Sequence, residues 1–440
     1  MKITSPKNPN YAATVVVVDK LVPLSNCDNV QGAVIYGNHV IVGKDTALGD
    51  IGIYFPLECA LSKEFLGENN LYRKAEFGNK DAGAKGGFFE AHGRVKALKF
   101  RGHKSEGFFC PLSFLNYLGH DSSEYTPGMT FDAIDEREVC RKYVVRTSTP
   151  RSGGKQGKKA SVKDAIVDGQ FHFHIDTEQL RRNIHKINPE NYISISDKWH
   201  GTSAVYANIL VKRELPWYER LARTVGIRVQ EAEYQGVWAS RRVVKGVAGE
   251  ARKDAVHFYG ADIWGIVGKE VLPLLPKGIT VYGEIVGWMP DGGAIQKGYH
   301  YGCPQGTHKF LVYRVTFTNA DGKVYEFSWP ACKEFCAAQG LDMVKEIWYG
   351  KASEFVGTEG LTDIEFHACL LFKMEHEYAC DEMCEYNNRE VPAEGIVVRV
   401  DRLESCEAYK LKNFAFLKRE TELLDKGEED IEESGASEEV

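Results

Sequence analysis

SISDKWHGTSAVY, residues Ser194 to Tyr206, ends a β-type run on Lys198 and places Gly201 three positions further on. A lysine at the mouth of a strand, beside a residue with no Cβ to hold a ligand off, is a candidate nucleophile. Lys-x-x-Gly alone recurs by chance in a chain of 440 residues, so the weight falls on its surroundings. The flanking strands NYISISD, TSAVYANILV, ITVYGEIVGW, FLVYRVTF, KVYEFSW and EGIVVRVD mix with helical patterns such as EQLRRNIHKI, WYERLARTV and PACKEFCAAQ. Because strands and helices do not alternate regularly, the expected class is α+β with antiparallel sheets rather than a doubly wound fold.

Downstream of Lys198, in order, come WASRRVV with Arg241, VYGEIVG with Glu284, FLVYRVTF with Tyr313, EGIVVRV with Glu394, and AYKLKNF with Lys410 and Lys412. This ordered set resembles the motifs of the covalent nucleotidyltransferases, the superfamily of polynucleotide ligases and capping enzymes, over about residues 171–419. Such chemistry has a neutral amine attack the α-phosphate of a nucleotide, so it needs a lysine, cations for phosphate charge and carboxylates for a divalent metal. Lys410 and Lys412, two apart on a strand, project to one face and can both grip phosphate. Glu284 and Glu394 sit in apolar strand contexts, where a carboxylate is costly unless it serves a ligand, a metal or an ion pair.

The resemblance implies roles. Lys198 is the lysine that becomes adenylated, with Gly201 in its loop, and Arg241 lies near the ribose and the 3′-OH terminus. Glu284 meets ribose hydroxyls and metal-bound water, Glu394 orders the catalytic metal, and Tyr313 stacks on adenine. Lys410 and Lys412 contact the α-phosphate. The implied catalytic set is therefore Lys198, Lys410 and Lys412, with ATP as co-substrate and Mg2+ or Mn2+ at Glu284 and Glu394. Two positions depart from the pattern: His200 stands where an aspartate is usual, and Arg314 where an acid is common.

Four segments of the first 120 residues, TVVVVDKLVPL, AVIYGNHVIVGK with its Gly-Asn turn, GDIGIYFPLE and GRVKALKFRGHKSEGFFCPLS, read as short strands of an OB-like β-barrel. In the last of them Arg94, Lys96, Lys99, Arg101 and Lys104 interleave with Phe100, Phe108 and Phe109, a pattern of charge and rings suited to nucleic acid or, for the rings, to a barrel core. The expected organisation is an OB-like domain at 1–147, a basic linker at 148–165, a nucleotidyltransferase domain at 166–418 and an acidic tail at 419–440. The formal net charge of −7 hides this: ten carboxylates against two basic residues lie between Arg419 and Val440, while Arg141 to Lys163 holds eight Lys or Arg and no acid.

Only 28 residues follow Lys412, so no OB domain is expected after the catalytic one, where DNA ligases and capping enzymes carry theirs. The OB module ahead of the catalytic domain, with KWHGTSA, VIVGK and YFPLE, resembles the ATP-dependent RNA ligase family that has an amino-terminal OB-fold module. That implies joining of 3′-OH and 5′-phosphate ends, with RNA or a nicked RNA-containing duplex as partner. DNA nick sealing, cap-type guanylylation and a non-catalytic nucleic-acid-binding protein stay open as alternatives. Eleven cysteines without a framework and no apolar leader fit a reducing cytoplasmic setting, no membrane span is expected, and a monomer is favoured. Helical insertions are expected at 212–235 and 349–389; the second holds His367, Cys369, His376, Cys380 and Cys384, whose spacing matches no common zinc site.

Overall fold

The computed structural model describes residues 1–83, 86–144, 162–248, 250–251, 262–379 and 382–427. The basic linker, but for residues 162–165, and the tail beyond 427 lie outside them. The described chain forms two compact units, 1–144 with 417–427, and 162–416.

In the first unit, Ala13–Val17 is paired antiparallel with Thr130–Phe131 on one side and Ile51–Pro56 on the other, and Gly107–Pro111 completes a four-stranded sheet. Leu21–Val22, Val30–Ile35 and Asn38–Gly43 form a separate three-stranded meander. Ile35 pairs with Asn38, so the hairpin turn is Tyr36-Gly37, one residue earlier than the Gly-Asn expected. Both turn residues have positive φ, 50° and 75°, as a two-residue hairpin loop with the strands' own twist requires. Val16, Val18, Ala33, Ile35, Val40, Val42 and Tyr54 form a core across both sheets, and the Glu106 N–H donates to His39 O at 2.7 Å where they meet. Among the described residues the ladders do not join into one closed ring.

Arg94 corrects the reading of the basic strand. Its side chain is fully buried, ion-paired with Asp425 and donating to Thr421 O at 2.9 Å, with the Tyr143 ring 4.9 Å from the guanidinium. Lys96 reaches Asp425 as well, at 2.9 Å. These two cations pair with the last residue of the helix Phe414–Asp425, whose final seven residues are the first seven of the expected tail. Lys99, Phe100 and Arg101 are exposed on the hairpin Leu98–Phe100/His103–Ser105.

The second unit holds two largely antiparallel sheets. The seven-stranded one runs, in order, Glu250–Ala251, Val244–Val247, Ala232–Ser240, Thr202–Lys212, Ile279–Gly287, His308–Thr318 and Val324–Glu326. The five-stranded one runs Glu178–Gln179, Glu407–Lys412, Gly395–Val400, Tyr192–Lys198 and Glu346–Lys351. Period-2 alternation sends one face of each into a core under helices. Ile263, Trp264, Val267 and Val271 of one helix, with Cys332 and Cys336 of another, pack on Ala204, Tyr206, Val281, Ile285 and Val312. Phe366, Leu370 and Met374 pack on Ile193, Ile195, Ile396, Val398, Tyr409 and Leu411. The chain passes from one sheet to the other through Trp199–Gly201, immediately after Lys198.

Candidate active site

Register assembles the site. Lys198 pairs with Gly395, and Gly395 with Lys412, so the three lie side by side on neighbouring strands. Two inter-strand spacings separate the lysine backbones by roughly 10 Å, with no side chain on Gly395 between them. A Cβ there would meet Leu411 O at 2.1 Å, and φ is +138°, so only glycine fits. Because Ile193, Ile195, Tyr409 and Leu411 point into the core, Lys198, Lys410 and Lys412 share the opposite face.

Glu394, buried at 3% exposure, ties them together: Oε1 is 2.7 Å from Lys198 Nζ and 3.6 Å from Lys412 Nζ, and Oε2 is 4.0 Å from His200 Nδ1. Burial raises the proton affinity of this carboxyl, but the charges of Lys198, Lys412 and His200 outweigh it and hold Glu394 below its ordinary range. Glu284 holds the other side of the loop: Oε1 accepts the Gly201 N–H at 3.1 Å and Oε2 the Ser203 hydroxyl at 3.3 Å. A Cβ on Gly201 would lie 2.3 Å from Ile285 O, which explains the glycine.

Arg241 and Arg242 converge on a residue the sequence did not single out. Asp176 accepts from Arg241 Nη2 at 2.8 Å and from Arg242 Nη2 at 3.2 Å. Burial acts to raise its pKa, but Arg241, then Arg242 and Lys410, hold it below the normal aspartate value. Tyr313 is the extra residue of a β-bulge: Tyr282 pairs with Arg314 and Gly283 with Val312, leaving Tyr313 unopposed and re-aimed. It is half-buried, with the His174 ring edge-on at 5.0 Å.

Both departures have a structural account. Arg314 is buried, with Nε donating to both Glu326 oxygens at 3.1 and 3.0 Å and its guanidinium 4.3 Å from the Tyr282 ring centre. The ring of His200 stands edge-on to Tyr299 and Phe416, at 5.0 and 5.1 Å, with Nδ1 toward Glu394.

Glu394 Oε2 is buried and accepts no hydrogen bond, the condition of an oxygen suited to a cation. Glu284 has one oxygen engaged by a backbone amide and the other by a hydroxyl, so its carboxylate is fixed against the loop that follows Lys198. No group of three or more metal-ligating side chains gathers among the described residues, the insertion included. There His367 Nε2 bonds Ile187 O at 3.0 Å, Cys384 is buried, and Cys380 lies outside the described residues. No described helix is long and apolar enough to cross a membrane.

A protein-family model described as RNA ligase matches residues 192–413, half of the chain, and so spans every strand that carries the site. The chain belongs to the RNA ligase family. It is an enzyme of that class, as the lysine, carboxylates and cations gathered here would have it. No curated protein matches the sequence significantly. Among solved structures it is similar to variants of Naegleria gruberi RNA ligase. One, with AMP and Mn, has a TM-score of 0.56 at 16% identity, covering 92% of this chain and 98% of that one. A second, with ATP and Mn, has a TM-score of 0.56 at 17% identity with the same coverage. At these identities the shared property is the fold, which extends through both units.

Proposed function

We propose that this chain joins RNA 3′-OH and 5′-phosphate ends at the expense of ATP, through a lysyl-AMP on Lys198. The observation that carries the reading is the row Lys198, Gly395, Lys412, with Glu394 bridging the two amines. In the first step Lys198 Nζ, having lost a proton to solvent, attacks the α-phosphorus of ATP; a P–N bond forms, the bond to the bridging oxygen breaks, and pyrophosphate leaves with the electron pair. The 5′-phosphate then takes AMP from the lysine, and the 3′-OH attacks that phosphate with AMP as leaving group. Lys410 and Lys412 balance charge on the phosphoryl oxygens, Arg241 meets the ribose and the 3′-OH end, Glu284 binds ribose hydroxyls, and Tyr313 stacks on the base. Glu394, with Glu284, would hold a divalent ion, Mg2+ or Mn2+, which would supply further positive charge at the phosphates. Its fit is supported by the orphan oxygen of Glu394 and, by likeness of fold, by relatives solved with ATP or AMP and Mn.

We read the first unit as an OB-type module that leads RNA, including nicked duplex, to the site. The exposed Lys99, Phe100 and Arg101 and the basic run before residue 163 support this. The expected domain limits belong to the same proposal, as do a monomeric state and a reducing, cytoplasmic setting, the last supported by described cysteines that are all free thiols.

Incubation with magnesium and α-labelled ATP or α-labelled GTP, with Lys198→Ala in parallel, tests the reading. ATP label that survives denaturation and vanishes in Lys198→Ala is the expected result. GTP label alone would move the chain to guanylylation, and no label on folded protein would leave a nucleic-acid-binding module.

A further inference from the structure

The turn that carries the nucleophile is held by residues from the segment 288–307, none of which has been given a part in the chemistry. The His200 N–H donates to Tyr301 Oη at 2.7 Å, and Gly201 O accepts from Gln296 Nε2 at 2.8 Å. With the Gly201 N–H on Glu284, the backbone of the turn is gripped at three polar groups of two successive residues. The Trp199 ring lies on the Tyr301 ring with centroids 4.4 Å apart, so Tyr301 holds both residues that follow Lys198. Gln296 and Tyr301 are each 5% exposed, and a buried amide or phenol is costly unless its partner is present.

Tyr301 is itself clamped. Its φ is +49°, a left-handed conformation that a bulky residue keeps only where its surroundings over-determine it. The surroundings do so: Asn387 Oδ1 accepts the N–H of His300 at 2.7 Å and that of Tyr301 at 2.8 Å. Asn387 is fully buried, and its amide donates to Cys384 Sγ. Tyr299 Oη adds a bond to Pro392 O at 2.8 Å. The structure thus invests a strained backbone and a buried amide in fixing one hydroxyl beneath the amide of His200.

We infer that Tyr301, held by Asn387 and seconded by Gln296, is a positioning residue for the lysyl-AMP step. It keeps the Lys198–Gly201 turn from swinging when the Lys198 amine leaves Glu394 for a phosphate, so the amine stays at attack distance. The inference rests on the reading of Lys198 as the nucleophile.

The test is Tyr301→Phe in the full chain, which keeps the ring against Trp199 and removes the hydroxyl that accepts from the His200 N–H. The expected result is a fall of roughly 10- to 100-fold in the rate of lysyl-AMP formation at saturating ATP. Half-saturating ATP should stay as in the wild type, the melting temperature should fall only by the few degrees that one lost hydrogen bond costs and stay well above the assay temperature, and the His200 amide should exchange hydrogen faster while Val205 in the core strand does not. An unchanged rate, or a loss that follows the melting temperature or half-saturating ATP, overturns the inference. Should Tyr301→Phe fail to fold, Gln296→Leu puts the same question from the other side of the turn. If the wild type takes no label, the nucleotidyl-transfer reading is what fails, and His200 exchange still decides whether Tyr301 holds the turn.

Discussion

Lys198 and Glu394 form an ion pair of 2.7 Å in which the carboxylate is almost wholly buried and the lysine keeps 22% of its exposure. On the proposed reading the nucleophile is held by the carboxylate that would take the metal, so phosphate and cation together would replace that pairing. Lys198→Arg keeps a charge for Glu394 but offers a guanidinium that stays protonated and cannot attack phosphorus. It should melt like the wild type and retain no AMP on the denatured chain.

Glu394→Gln removes the bridging charge. We expect a loss of roughly 100-fold or more in label formation, with fold retained by circular dichroism. Raising Mn2+ should restore little, because on the proposed reading the ion's own ligand has gone; full restoration by metal would show that Glu394 acts only on Lys198.

Asp176 gives the acid side of the stability curve a specific contributor. Its folded pKa is depressed, with burial opposed by Arg241, Arg242 and Lys410. The stabilisation is therefore present above its unfolded value, about 4, and is lost as pH falls through the lower folded value. Melting curves from pH 6 down to pH 3 should fall more shallowly for Asp176→Asn than for the wild type. An identical slope would mean that Asp176 is no better paired folded than unfolded.

Asp425→Ala should destabilise the first unit by about 2–3 kcal/mol, read from a urea transition followed by an N-terminal probe. The figure sits below the usual cost of orphaning a buried charge because Asp425 is more than a third exposed and Glu58 remains 3.5 Å from Arg94. Arg94→Met, which removes the buried charge instead of orphaning it, should cost less.

Much of the site was legible because strand alternation and motif order fix which side chains share a face: Lys198, Glu284, Glu394, Lys410 and Lys412 each lie in a run whose apolar neighbours declare the core side. The mixed, antiparallel fold class follows from the same runs. Asp176 was not legible, since a single aspartate in FHFHID has no periodicity and its partners are 65 and 66 residues away. Gln296 and Tyr301 fall in an irregular segment, where backbone hydrogen bonds leave no sequence pattern. Arg94 was misread because alternating charge and rings look the same facing solvent or facing a carboxylate 331 positions on. The bulge at Tyr313 is a register event that the local sequence does not announce.

The Arg94–Asp425 pair also orders events in time. During synthesis the first unit emerges early, yet the closer of the two carboxylates that face its buried guanidinium leaves the ribosome only with residue 425. Until then the buried guanidinium of the nascent unit has only Glu58, at 3.5 Å, for a counter-ion, so its final packing waits for the strands of the second unit to be made, and an isolated fragment of residues 1–144 should be a poor folder for want of one helix.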